Sequence, residues 1–432
     1  MHIRAVGAAF DIIPGMEDIV VIGGGASGLA CALAACEQAL RAGRTMPRIL
    51  ILEATDKIGR PILRSGNGRC NFSNARIAPE AYNHPACAER VFTALEEAAR
   101  AAGLPEEAPN PVASFFSRFG LVWREESEGR LYPLANKASV VVDVLRAAAK
   151  VAGVEERCGC AIERIRFPRR EGDSLMLRAE GERFEARAAV IACGGSIASS
   201  LLADASPALV FCQPRRVLGP LATEEGLTAK LDNIRVKCAV ALRRDGELLA
   251  REAGELLFRR YGVSGIAVFN LSRLAEPGDR LEVDLVPHVE DAAAFLAVRQ
   301  RLMEPAYGPR LTATALLRGL LLPQVGAVVC EAAGIKEHQP PDERGMASLA
   351  RVLKGFPLTV KGIADEAQCQ VTRGGIGVGA VDGRTLAVHG YPTVFAAGEA
   401  LDVDGPCGGF NLHWAWASGM LAGINAAEGA LA

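Results

Sequence analysis

Residues 59–74 read GRPILRSGNGRCNFSN, with three glycines, three arginines and three asparagines around one cysteine. So permissive a backbone with so many fixed donors suits a segment that passes close to a ligand. Arg69 offers a planar guanidinium to an anion or a polarised carbonyl; stapling loop carbonyls is its equal alternative. Cys70 suits three roles: a proton donor, a redox thiol whose pKa Arg69 lowers, or a small packed side chain. Asn71 and Asn74 add short amides to the same segment. Far along the chain, Tyr261 in RRYGVSG is a phenol able to supply a proton or orient a substrate, with core packing as the simpler role. Arg130 and Lys137, around LYPLANK, either line a cleft or stand in solvent.

These groups need elements to hold them, and the two ends of the chain provide them. DIVVIGGGASGLACALAACEQAL predicts an apolar strand over 19–22, a glycine turn and an Ala/Leu-rich helix. Gly23, Gly25 and Gly28 fill a G-x-G-x-x-G pattern: a tight turn, a close approach for a pyrophosphate, and close packing of helix on strand. The helix then aims its first amides at the phosphates. The next strand, RILILEA, ends in Glu53, 25 positions after Gly28. A carboxylate there accepts both hydroxyls of an adenosine ribose and repels a 2′-phosphate. Together these residues predict a dinucleotide site.

The far end favours FAD over NAD. YPTVFAAGEALDVDGPCGGFNLHWAWASGMLAGINAA predicts a strand over 393–397, then Gly398-Glu399, a glycine-rich loop and a helix from about 411. It resembles the second fingerprint of glutathione-reductase-like flavoproteins, in which the acidic residue, here Glu399, holds the ribityl chain. The helix start faces the flavin edge that becomes anionic on reduction. His413 at that positive end is expected to be neutral, and Trp414 and Trp416 read as core. Residues 154–195 predict a three-stranded meander, with Ile162 on its first strand.

Composition narrows the class further. The 432 residues carry a formal charge of −2, which disfavours nucleic acid as a partner. The basic doublets Arg215-Arg216, Arg243-Arg244, Arg259-Arg260 and Arg169-Arg170 are short and lack interleaved aromatics, so most read as solvated turns. Twelve cysteines are scattered without zinc-ligand spacing, so thiols in a reducing cytoplasm are expected, with no metal. No apolar run approaches the ~18 residues of a membrane span, and the first seventeen residues lack a signal-peptide core. A soluble, cytoplasmic protein is expected, its oligomeric state open.

The loop GRPILRSGNGRCNFSN resembles the hallmark of the BaiN-like, or aminoacetone-oxidase-like, NAD(P)/FAD-dependent oxidoreductases. GRLYPLANKAS at 129–139, GELLFRRYGVSGIAVFNLS at 254–272, VTRGGIGVGAVD at 371–382 and AAGEALDVDGPCGGFNLHWAWASG at 396–419 extend the resemblance in the same order. It implies an α/β fold: a discontinuous Rossmann-like FAD domain over 18–215 and 356–432, with an inserted β-barrel at 216–288 and a helical segment at 289–355. It also implies FAD contacts from Gly23, Gly25, Ala26, Ser27, Gly28, Glu53, Ala54 and Arg60, from Ser65, Gly66, Arg69, Cys70 and Asn71, and from the Ile162 backbone and Gly194. Gly398, Glu399, Gly409, Asn411 and Leu412 complete the implied set. Four positions depart from the family: Pro61 for lysine, His413 for glutamine, Ile266 for proline, and a short segment after Gly195.

The resemblance implies reduction of a conjugated carbon–carbon double bond in a small molecule, with Cys70, Arg69 and Tyr261 as catalytic candidates. No second glycine fingerprint is visible, so NAD(P)H is expected to visit the flavin cleft as electron donor. Two other classes fit the same pattern: a dihydrouridine synthase acting on ribosomal RNA, and a non-catalytic flavin-binding sensor.

Overall fold

The computed structural model describes residues 15–430 apart from 104–107, 169–172, 203–208, 225 and 337. Most of the first seventeen residues and the Arg169-Arg170 doublet therefore lie outside the described residues. The chain divides into two compact units, one of residues up to Arg215 and from Val371 onward, the other Arg216–Gln370.

The first unit is built on a sheet whose centre is strand β1 (Glu17–Ile22). β1 pairs in parallel with β2 (Ile49–Glu53) on one side and with Glu182–Ile191 on the other. Residues Ile19 to Ile22 are buried, as a continuous apolar run between two parallel neighbours must be. Glu155–Cys158 extends the sheet beyond β2, and Tyr391–Ala396 extends it beyond Glu182–Ile191, also in parallel. The first half of Glu182–Ile191 serves a second purpose. It pairs with Leu175–Ala179, which pairs with Ile162–Arg166, forming the expected meander.

Helix α1 (Ala26–Arg41) packs against the C-terminal helix Phe410–Ala430 at very short range. A Cβ on Gly419 would stand 2.3 Å from the Ser27 carbonyl oxygen, and one on Gly423 would stand 2.1 Å from that of Cys31. Glycines four apart thus sit on carbonyls four apart, and only backbone without side chains fits between. Trp414 and Trp416 are both buried, and their indole N–H groups donate to Gly398 O and Phe72 O, each at 3.0 Å.

In the second unit six strands close a barrel in the order Leu221–Thr223, Gly262–Ser264, Glu247–Arg259, Arg235–Arg244, Arg280–Asp284 and Phe356–Ile363. The last strand pairs back onto the first. The expected return to the FAD domain at 356 is thus corrected to about 370. The physical reason is that Arg280–Asp284 would otherwise leave an open sheet edge. The expected helical segment is the excursion between the fifth and sixth strands, with helices Ala292–Tyr307, Ala313–Leu317, Pro323–Ala332 and Glu343–Lys354. Pro305 does not break the first of these, which ends instead at Gly308, φ +53°. Among the described residues no helix is long and apolar enough to cross a membrane.

Candidate functional site

The glycine turn after β1 leads into α1. Gly23 has φ +109°, which favours glycine, and a Cβ there would meet Ala192 O at 2.5 Å. A Cβ on Gly28 would stand 1.9 Å from Gly23 O, so helix and turn touch backbone to backbone. Gly25 is the N-cap of α1 with no side-chain cap, and Ala26 and Ser27 begin the helix. At the end of β2, Glu53 accepts from Gly24 N through Oε2 and from Thr55 N and Thr55 Oγ through Oε1, all at 2.8 Å. Three of a carboxylate's roughly four acceptor positions are therefore in use. The rest of the carboxylate's capacity remains for a further donor, while these three bonds fix the turn. Ala54, just beyond, is exposed.

The C-terminal fingerprint lies against the same helix start. Gly398, φ +65°, leaves no room for a Cβ, which would sit 2.5 Å from Ser27 Oγ. Its amide donates to Ser418 Oγ at 2.8 Å. The half-buried Glu399 accepts from Thr372 N at 3.3 Å, and its carbonyl oxygen lies 2.7 Å from where a Gly195 Cβ would be. Gly194, φ +83°, has nothing among the described residues within 4 Å of where a Cβ would be. Glu53 thus bonds the turn that leads into α1, and Gly398, next to Glu399, packs on Ser27 at the start of that helix, with Ile162 half-buried on the meander edge of the same unit.

The 59–74 loop runs from Gly59 through a short helix, Arg60–Arg64, to a left-handed pair, Gly66 and Asn67. Arg60 is exposed and pairs with Asp56 at 3.6 Å. Ser65 Oγ donates to Ile62 O at 2.6 Å. Cys70 is fully buried in a left-handed conformation, φ +59°. Burial pushes its thiol up to about 12, with a Ser65 bond opposing. The expected lowering by Arg69 is therefore overturned: desolvation of the thiolate dominates. Arg69 itself bonds Glu126 and Asn136 and lies 4.1 Å over the Tyr132 ring. It staples the loop, through a carboxylate and an amide instead of the expected carbonyls. Arg130 pairs with Glu128, and Lys137 is exposed.

Asn71 is nearly buried, and its Oδ1 has no hydrogen-bond partner among the described residues. Across from it, Gly409, φ +99°, would set a Cβ 2.3 Å from Ser73 O and 2.9 Å from Asn71 Oδ1. The Asn411 amide ties the preceding loop to the helix start, accepting from Gly405 N and donating to Gly405 O, both at 2.8 Å. Leu412 is half-buried. Next to it His413 is buried, with Nδ1 2.8 Å from Ser73 Oγ. Burial pushes its imidazole down to about 3 from an ordinary 6.5, so it is neutral as expected. The unfolded chain takes up a proton between pH 6.5 and about 3 that the folded chain refuses. Stability is therefore complete above that window and falls as the pH drops through it, by up to ~1.4 kcal/mol per pH unit. Urea midpoints measured across the window should show a shallower acid slope for His413→Gln than for the unaltered protein; equal slopes would contradict this origin.

Sequence reasoning missed a polar cluster under the C-terminal loop. Arg373 grips the fully buried Asp404 with two bonds, Nε to Oδ1 at 2.5 Å and Nη2 to Oδ2 at 3.0 Å. Asn83 Oδ1 accepts from Asp404 N at 2.9 Å. Asp402 accepts from Gly374 N at 2.8 Å and faces His84 Nε2 at 3.3 Å. Burial pushes the Asp402 carboxyl up, but bonds from Cys212, the Gly374 amide and His84 outweigh it and leave it below the usual carboxylate range. The signal was present in VTRGGIGVGAVD and DVDGP, whose charged residues interrupt otherwise apolar and glycine-rich runs. Tyr261 lies in the second unit, between Glu247–Arg259 and Gly262–Ser264. Burial raises its phenol pKa, with Arg259 opposing, so it holds its proton.

These residues fit a bound FAD molecule. The uncapped start of α1, the open space at Gly25 and Gly194 and the buried Asn71 Oδ1 form a cradle with groups left to satisfy.

Comparison with known proteins agrees. Residues 17–425 match the family described as HI0933-like protein Rossmann domain. The 3-dehydro-bile acid delta(4,6)-reductase of Clostridium scindens is 30% identical over 96% of this chain and 100% of its own. The ribosomal RNA dihydrouridine synthase of Escherichia coli is 28% identical over 93% of this chain and 96% of its own. Its counterpart in Haemophilus influenzae is 24% identical over 92% and 96%. With a glycine turn at the start of its first helix and a match along nearly its whole length, the chain belongs to the HI0933-like Rossmann family and is an FAD-dependent oxidoreductase.

Proposed function

We propose that the protein reduces a conjugated carbon–carbon double bond in a small molecule, with NAD(P)H as electron donor. The observation that carries this reading is the full-length match to the bile-acid reductase, which includes the 59–74 loop and the 396–419 segment. When bound, FAD supplies a ring that accepts and delivers hydride. The chain's own residues hold and orient. Amides at the start of α1 face the phosphates, Glu53 takes one adenosine hydroxyl and Glu399 a ribityl hydroxyl. Asn71 Oδ1 accepts from the ring edge. His413, being neutral, donates no proton as an imidazolium; it holds Ser73 and with it the loop. The sequence candidate Tyr261 keeps its proton, as a donor must.

Two experiments test this. Glu53→Ala should weaken FAD binding about tenfold, as loss of one charged hydrogen bond and a loosened turn require; unchanged retention of the yellow chromophore would remove Glu53 from the site. Purified protein should oxidise NADH or NADPH in the presence of a 3-oxo-4,6-diene steroid, read by absorbance. No turnover with any enone would overturn the reading.

The names of the two other relatives favour a second reading, ribosomal RNA modification. The charge arrangement opposes it. Arg243 pairs with Glu282, Arg244 with Asp279, and Arg259 and Arg260 both with Asp232. Three of the basic doublets or their members are thus already matched by carboxylates or carbonyls, Arg216 bonding Cys369 O. An unchanged dihydrouridine profile of ribosomal RNA in a deletion strain would dispose of this alternative.

A further inference from the structure

We propose that the hairpin carrying Arg124 seats the carboxylate of an amphipathic, steroid-like acid, on a pair of arginines that share a single glutamate. The hairpin consists of strands Trp123–Glu125 and Arg130–Pro133. One oxygen of Glu126, Oε1, accepts from Arg124 Nε at 3.1 Å, from Arg124 Nη2 at 2.6 Å and from Arg69 Nη2. Asn136 Oδ1 accepts from the same two guanidiniums. Two positive charges therefore meet one negative charge, and one remains uncompensated. Nearby, Arg130 is already matched by Glu128. Among the described residues Arg69 Nη1 meets no acceptor, so donor capacity remains on the pair.

The surroundings select the kind of anion. Arg124 Nη1 donates to the Leu134 carbonyl at 2.9 Å, and Leu134 N donates to the Val122 carbonyl at 2.8 Å. The side chains of Val122 and Leu134 are 63% and 56% exposed, an apolar pair beside the cationic one. Both arginine side chains are 34% exposed and so mostly removed from water, where a charged hydrogen bond gains more than on an open surface. A planar fork beside bare aliphatic surface complements a carboxylate on a rigid apolar body. A dinucleotide phosphate shares the charge but not the apolar partner.

The identity of the acid rests on the enone-reductase reading, and the test separates the two. A 3-oxo-4,6-diene bile acid and its methyl ester are compared as substrates, and their binding without reductant is followed by flavin fluorescence. Arg124→Gln should raise KM for the acid about tenfold with kcat unchanged, and leave KM for the ester and for NADPH as they were. Arg124→Lys should recover part of the loss, which a merely structural role would not predict. Equal KM rises for acid and ester, or a rise for NADPH alone, would overturn the seat. If the unaltered protein binds acid over ester yet reduces neither, the seat stands and the enone reading falls. If it reduces both with one KM, the seat falls and the enone reading stands. Binding of neither overturns both.

Discussion

Arg373→Met should destabilise the first unit by about 3–5 kcal/mol, the range for removing one partner of a buried ion pair. Asp404 is fully buried and Arg373 is 17% exposed, so the carboxylate cannot turn to water when the guanidinium goes. The methionine fills similar volume, which isolates the charge effect from a cavity. Because Asp404 N is held by Asn83, and Asp404 begins the loop to the C-terminal helix, FAD retention should fall as well. Urea unfolding of the single variant and of Arg373→Met with Asp404→Asn separates the contributions: the double variant should recover most of the stability. A loss under about 1 kcal/mol in the single variant would show that the pair is dispensable.

The second large effect concerns glycines on the C-terminal helix. Intrinsic helix propensity says that Gly→Ala stabilises an exposed helix interior by about 1 kcal/mol. That sign should hold at Gly429, where nothing among the described residues lies within 4 Å of an added Cβ. At Gly423 it should reverse, since the Cβ would be 2.1 Å from the Cys31 carbonyl oxygen, a backbone atom with no room to yield. Overpacking of this kind costs about 3 kcal/mol, and the two helices must separate to relieve it. The comparison of Gly423→Ala with Gly429→Ala, by urea midpoint and soluble yield, reads the sign directly. Stabilisation at both positions would contradict the described packing.

Local patterns made much of this architecture legible. The glycine turn, Glu53, and the Gly398-Glu399 turn each declare themselves within a few residues, because the backbone conformations they need admit few side chains. The joining of the two chain ends into one unit followed from two halves of one nucleotide site. What escaped depends on partners distant in sequence. Arg69 finds Glu126 and Asn136, 57 and 67 positions away, and no local feature distinguishes that outcome from an arginine waiting for a ligand. Cys70 looks activated when read beside Arg69, but the guanidinium is taken up by Glu126 and Asn136 and the thiol is fully buried. The barrel's sixth strand was assigned to the wrong unit because its partners, Leu221–Thr223 and Arg280–Asp284, lie on the far side of a long helical excursion.

The contact of Gly419 and Gly423 with α1 also sets a timetable for biosynthesis. A ribosome releases the N-terminus first, yet the face of α1 at Ser27 and Cys31 waits for a partner made some four hundred codons later. The intervening unit, Arg216–Gln370, is continuous in sequence and is complete well before that partner emerges. Nascent chains arrested ahead of Phe410 should therefore contain a protease-resistant middle and a protease-sensitive beginning. Cofactor capture then waits for helix Phe410–Ala430, which completes the first unit.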